Sequence, residues 1–233
     1  LAFLIFISPK EKKSVKTDKP QSESVYRFIR SNRHFFFYHF FGFGLLSVMV
    51  YGAAAWMPAY LVRTYELDIK TVGLILAVSA VPVGMCGVVF SGWWVDRTFT
   101  TGKKDAHFSH FSLIGIAVAI IGGLGFLFDF WIFIPVVCFG IIQFLQPFSG
   151  VAGASLQIVT PVAYRGRISS IFIMFYNTLG MVLGPSLVVA INDFFMDSNS
   201  LGTALAINYI VFGSGAAFLL WKGRKYAAAM GNR

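Results

Sequence analysis

Residues 71–107 read TVGLILAVSAVPVGMCGVVFSGWWVDRTFTTGKKDAH. No charge falls between 71 and 95, a stretch long enough to cross a ~30 Å hydrocarbon core as a helix. Asp96, Arg97, Lys103 and Lys104 then follow within one short loop. The rest of the chain repeats this alternation. Five more apolar stretches occupy 35–61, 108–128, 131–157, 168–191 and 201–221, separated by hydrophilic segments. Of the 19 Lys and Arg residues, all but Arg63 and Lys70 fall in the linker before the first stretch, the 96–107 loop, the Arg165–Arg167 hairpin or the end of the chain. Threading six spans through a bilayer puts all four of these segments on one face. The other face holds Arg63 and Lys70 beside Glu66, Asp68, Asp129, Asp193 and Asp197. By the positive-inside rule the basic face is cytoplasmic, with both termini. The expected fold class is all-α integral membrane, with a six-helix bundle over 34–221.

The composition agrees. A chain of 233 residues that is 57% hydrophobic and 12% charged is too apolar for an ordinary soluble domain, and its mean hydropathy is +0.71. The net charge of +9 is divided among separate segments. That division suits anionic lipid headgroups and argues against nucleic acid as a partner. Cys86 and Cys138 lie inside apolar stretches, which implies neither a disulfide framework nor a metal site. There is no HExxH, nucleophile elbow or phosphate loop, so no catalytic role, cofactor or metal is expected.

Residues 1–7, LAFLIFI, are apolar and precede a lysine-rich stretch. A signal peptide carries its basic residues before the apolar core. This segment instead reads as the cytoplasmic end of a preceding span, with 8–33 as a basic cytoplasmic linker. The linker's first part is polar and expected to be flexible. Val25 to Arg30 has the pattern of a short interfacial helix. Residues 222–233 read as a basic cytoplasmic tail.

Gly92-Trp-Trp-Val-Asp96-Arg97 stands at the end of the second span. Glycine permits close approach of a neighbouring helix, and a carboxylate one turn later can face the positive N-terminus of another helix. The motif resembles the G-x-x-x-D-R signature of the major facilitator superfamily, found between the second and third helices of each six-helix half. The chain resembles the C-terminal half of such a twelve-helix transporter. Gln157-Ile-Val-Thr160-Pro161, Arg165 to Ser170, Asn177, Gly180, Gly184-Pro185 and Asp193 look like bacterial Spinster-type members. Trp56-Met57-Pro58-Ala59-Tyr60-Leu61 is shared by that group and by anion:cation symporters. Gly180-Met-Val-Leu-Gly184-Pro185 resembles a G-x-x-x-G-P pattern of the superfamily, and here it reads as tight helix packing followed by a proline bend. Thr160 and Pro161 read as N-cap and first-turn residues of the fifth span.

Polar residues recur at helical spacing on three spans: Gly44, Ser47, Tyr51 and Pro58; Gln143, Gln146, Gly150, Gly153 and Gln157; Ser170, Asn177, Gly180 and Gly184. A polar stripe facing lipid is costly, so these faces look onto protein or a water-filled cavity. Tyr51, Gln143, Gln146 and Asn177 therefore either line a cavity or bond between helices. The resemblance implies that the first and fourth helices line the cavity, that the second and fifth flank it, and that the third and sixth face lipid. No Asp, Glu, Lys or Arg lies in the middle of any span, and His34 and His39 read as interfacial residues at the cytoplasmic entry of the first. The expected function is alternating-access transport of a small organic or amphipathic, lipid-like solute across a bacterial inner membrane, with an N-terminal six-helix half as partner. An organic-anion or sugar-acid proton symporter, and a non-transporting receptor or scaffold on the same fold, are the alternatives. In a background lacking Cys86 and Cys138, a cysteine at Gly102 should react with an impermeant maleimide only from the cytoplasm and one at Ser198 only from outside. Labelling of both from one face would remove the six-span topology.

Overall fold

A computed structural model describes residues 21–195 and 200–231. The expected end of a preceding span at 1–7, the first part of the linker at 8–20, Asp197 of the acidic face and the last two residues lie outside the described residues. The chain divides after Ser31 into two units. The first contributes one described helix, α1 (Gln21–Ser31), which contains the short helix expected around Val25 to Arg30.

The second unit holds α2 (Arg33–Tyr65), α3 (Ile69–Thr100), α4 (Ala106–Leu127), α5 (Phe133–Leu145), α6 (Ser149–Val159), α7 (Arg165–Phe195) and α8 (Ser200–Gly231). Among the described residues six spans are long and apolar enough to cross a membrane, α5 and α6 together forming the fourth. Among the described residues there is no strand. Helix is what a bilayer demands, because backbone N–H and C=O groups find no water there and must pair within the segment.

Local chemistry sets several of the helix ends. The Asp68 carboxylate caps α3 by accepting from the N–H groups of Lys70 and Thr71, both at 3.0 Å. The Thr71 hydroxyl also donates to it, at 2.5 Å. That hydroxyl, then the amides, hold the Asp68 carboxyl below the usual carboxylate range. Glu66 closes α2 in the left-handed conformation, φ 54°, and Gly102 turns the chain after α3 at φ 99°. Asp129, in the turn after α4, accepts from Tyr60 on Oδ2 at 3.0 Å and from Tyr65 on its carbonyl at 2.5 Å. This ties the end of α2 to the α4–α5 turn.

The fifth span does not open as expected. Thr160 is the C-cap of α6, in extended backbone, and its buried hydroxyl has no partner. Pro161 instead begins a 3₁₀ turn, Val162–Tyr164, before α7. The proline ring blocks continuation of α6 and holds Thr160 extended, so its side chain is placed to end one helix rather than start the next. The stretch read as a basic tail continues α8 to Gly231.

Packing follows two seams. On one, α4 lies against α8: a Cβ on Gly115 would stand 2.7 Å from the Gly213 carbonyl, and Gly122 faces the Tyr209 ring. On the other, α2 crosses α7, and a Cβ on Gly184 would lie 2.6 Å from the Val48 carbonyl and 2.7 Å from the Gly52 nitrogen. Small residues let helices approach until dispersion contacts replace lipid. Asn208 of α8 donates to the Met49 carbonyl of α2 at 3.0 Å, so the lone amide of the sixth span is buried between helices. α4 and α8 do expose apolar stripes, Leu113, Ile120 and Leu124 on the former, Val211 and Phe218 on the latter. In contrast, only 11% of the central window of α3 is buried, against 56% for α2 and α4.

His39 is not interfacial. It is fully buried among Phe35, Phe43, Phe108 and Phe172. Its Nε2–H donates to Ser155 Oγ at 2.8 Å and to the Ala152 carbonyl at 3.1 Å. A carbonyl can only accept, which places the proton on Nε2. The imidazole therefore joins α2 to α6 inside an aromatic cluster, because the helices around it continue past its level.

Gly184→Ala must push backbone away from backbone and should cost about 1–3 kcal/mol. A Cβ on Gly140 meets nothing within 4 Å, so Gly140→Ala should be neutral or slightly stabilising. Thermal unfolding of the two detergent-solubilised variants checks the contrast.

Candidate functional site

The fourth span is interrupted in its middle. α5 stops at Leu145 and α6 starts at Ser149, with Gln146, Pro147 and Phe148 outside either helix. Pro147 supplies no N–H and its ring collides with the preceding turn, which is sufficient cause. A cleft of about 490 Å³ opens at this break. Gln143, Gln146 and Pro147 form one wall, Val81, Met85 and Val88 of α3 another, and Tyr51 of α2 and Tyr176 of α7 the floor. No charged side chain lines it. These residues sit near the middles of their spans, so the cleft lies at the depth where a bilayer is driest.

Tyr51 donates from its hydroxyl to Asn177 Oδ1 at 2.6 Å, and Asn177 Nδ2 donates to the Ile173 carbonyl at 2.9 Å. Tyr51 thus lines the cleft while Asn177 stands behind it and fixes its hydroxyl. Gln146 Nε2 donates to Gln143 Oε1, and the Gln146 Oε1 is buried without a protein partner. An unpaired amide oxygen in a dry site calls for a donor from elsewhere. Three of the four expected cavity residues therefore share one cleft, and the fourth touches it through Tyr51.

The remaining polar positions divide. Ser47 is buried and donates to the Tyr176 carbonyl at 2.6 Å, joining α2 to α7. Gly180 lies against Tyr51 and Ser47, Gly184 lies against α2, and the Pro185 carbonyl accepts from Trp56 Nε1 at 3.1 Å. Gly150 and Gly153 face open space, and Gln157 is exposed. Gly92 also meets nothing within 4 Å, Asp96 is exposed, and the Arg97 guanidinium lies 5.9 Å from the Trp93 ring centre. Tyr176, Phe148 and Met85 were not expected in the cleft. Pro147 was a visible signal for the break, whereas an aromatic or Met within an apolar span carries none.

A sequence model of the Major Facilitator Superfamily matches residues 1–185. The chain belongs to that superfamily. With six apolar helices, it is a multi-pass membrane protein of a transporter family. Its fold is similar to that of a bacterial homolog of the human lysosomal transporter Spinster, solved in an inward-facing and unoccupied conformation, at a TM-score of 0.58 and 13% identity. The match covers 99% of this chain and 56% of that one, so the chain spans little more than half the length of its structural relative. The comparison with curated proteins returns no match. Gly92, Asp96 and Arg97 sit at the junction of the second and third spans, and among the described residues nothing lies within 4 Å of a Cβ built on Gly92.

Proposed function

We propose that the chain is one six-helix half of a transporter that moves a small organic or amphipathic, lipid-like solute by alternating access. The observation that carries this reading is the cleft at the break of the fourth span. There Tyr51 and the Gln143–Gln146 amide pair meet aromatic and aliphatic walls at mid-membrane depth, without a charge. Discontinuous helices at the bilayer midplane are a recurrent way of building a solute site, because the broken backbone offers polar groups where the medium has none. A strongly anionic solute would normally meet Arg or Lys there, and the lining supplies amides and phenols instead. A second six-helix half would cover this cleft.

In this arrangement the basic segments and both termini lie in the cytoplasm, and the membrane is a bacterial inner membrane. Gly92, Asp96 and Arg97 then face the second half. Asp96 would stabilise the cytoplasm-closed state by facing a helix N-terminus across the interface. Gly180, Gly184 and Pro185 serve packing between α2 and α7.

Transport by proteoliposomes carrying both halves tests the site. Gln146→Ala should weaken apparent solute affinity about two- to tenfold, the worth of one hydrogen bond. Undiminished affinity and turnover would remove Gln146 from the site.

Asp96→Asn loses a charge–dipole contact of about 0.3–2 kcal/mol. It should shift the population towards the inward-open form by a factor of two to about thirty. Distances between spin labels on the two cytoplasmic faces would report that shift, and an unchanged distribution with intact transport would reduce Asp96 to a charged helix end.

A further inference from the structure

A second pocket, of about 470 Å³, lies at the basic end of the bundle, far along the helices from the uncharged cleft. Asp105, in the turn before α4, forms one side, and Trp221, Lys222, Arg224 and Lys225 of α8 form the other. Arg224 donates from Nε to Asp105 Oδ2 at 2.6 Å and stacks on the Trp221 ring at 4.4 Å. Among the described residues its two terminal amino groups have no hydrogen-bond partner. Asp105 also accepts from the Ser109 hydroxyl at 2.7 Å. Burial works against its charge, but these bonds and the guanidinium hold its carboxyl below the usual carboxylate range.

Asp105 and Arg224 neutralise each other, and that leaves the lysines. Among the described residues neither has a carboxylate partner: Lys222 Nζ lies 5.6 Å from the Phe218 ring centre and Lys225 Nζ 4.9 Å from that of Tyr226. The pocket therefore carries two uncompensated cations and an Arg fork with unused donors. That donor set matches the charge and geometry of a phosphate.

Position decides what carries the phosphate. The apolar stretch of α8 ends at Trp221, and the cations begin at the next residue. Phe218 and Trp221 are each 60% exposed. At spacings of three and four residues they share one helix face with Lys222 and Lys225. The pocket is thus at headgroup level, directly above an exposed apolar strip. Trp and basic residues in this order mark a membrane–water boundary. A free anion would use the cations and leave the strip idle, whereas a phospholipid uses both.

We propose that this pocket binds the phosphate of an anionic phospholipid, with its acyl chains lying along Phe218 and Trp221. The site is separate from the solute cleft, and its test does not depend on transport.

The test is native mass spectrometry of the detergent-solubilised full chain, titrated with phosphatidylglycerol, with phosphatidylcholine of the same acyl chains, and with inorganic phosphate. Phosphatidylglycerol should bind saturably, one molecule per chain, and more tightly than phosphatidylcholine. The Lys222→Gln/Lys225→Gln variant should lose affinity roughly fivefold for each lysine, about 25-fold in all. Lys103→Gln, which removes a lysine outside the pocket, should leave binding unchanged. Arg224 is kept because it holds Asp105, and an unaltered circular dichroism spectrum confirms that the double variant is folded. Equal binding of the two lipids, full retention by the double variant, or an equal loss in Lys103→Gln would overturn the proposal. So would inorganic phosphate displacing phosphatidylglycerol at comparable concentration, since the site would then take a free anion.

Discussion

At Gly52 and Gly184 the backbones of α2 and α7 approach with no side chain between them: a Cβ on Gly52 would stand 2.9 Å from the Gly184 carbonyl. Lipid tails are as apolar as leucine, so helices in a bilayer gain little from hiding apolar surface and much from such close contact. The approach also sets the neighbouring polar groups. Tyr51 precedes Gly52, and Asn177 lies two turns before Gly184, so their side chains meet at 2.6 Å. One turn further, Ser47 reaches the Tyr176 carbonyl. The same crossing that holds the helices together therefore places a phenol, an amide and a second tyrosine at the cleft. A change in its depth would move all of them.

The fourth span obeys the opposite constraint. An unbroken helix would satisfy its own backbone, but Pro147 divides it. The Gln146 N–H still donates to the Ile142 carbonyl at 2.9 Å and the Phe148 carbonyl accepts from the Ala152 N–H at 2.8 Å, so the two residues cap separate helices instead of continuing one. Gln146 pairs with Gln143 on the α5 side of the break, and one amide oxygen remains unpaired. Below the break, Ser155 and the Ala152 carbonyl of α6 are held by His39 from α2. The lower segment is thus anchored to α2 independently of α5. The span is two short helices, the lower of which has its own polar tie to α2.

Charge and hydropathy made the architecture legible, because crossing a membrane requires long uncharged stretches and the loops between them inherit the rest. That Tyr51, Gln143 and Gln146 would stand together on one cleft was legible for the same reason, since a polar stripe is too costly to face lipid without cause. What escaped was set by tertiary neighbours. His39 looked interfacial because it lies one turn inside a span, and it is the Phe108 and Phe172 rings of α4 and α7, with Ser155 and Ala152 of α6, that enclose it against its own helix. Thr160 followed a helix-start pattern, but Pro161 imposed an extended residue and a 3₁₀ turn. Tyr176 and Met85 carry no signal within an apolar run, and only the helix crossings bring them beside Tyr51 and Gln143.

Charges confined to helix ends have a mechanical consequence. Asp68 caps α3, Asp129 ties α2 to the turn after α4, and Asp105 ties the start of α4 to α8. Each acts where water still competes, so each is individually modest. Together they fix helix ends on both faces of the bundle and leave the uncharged middle free of strong, directional bonds apart from the amide and hydroxyl contacts. Those contacts can exchange partners at small free-energy differences, which an ion pair in the same dry environment could not. The charged ties therefore sit at the rims of the bundle, and the break at Pro147 and the Tyr51–Asn177 pair lie in its uncharged middle.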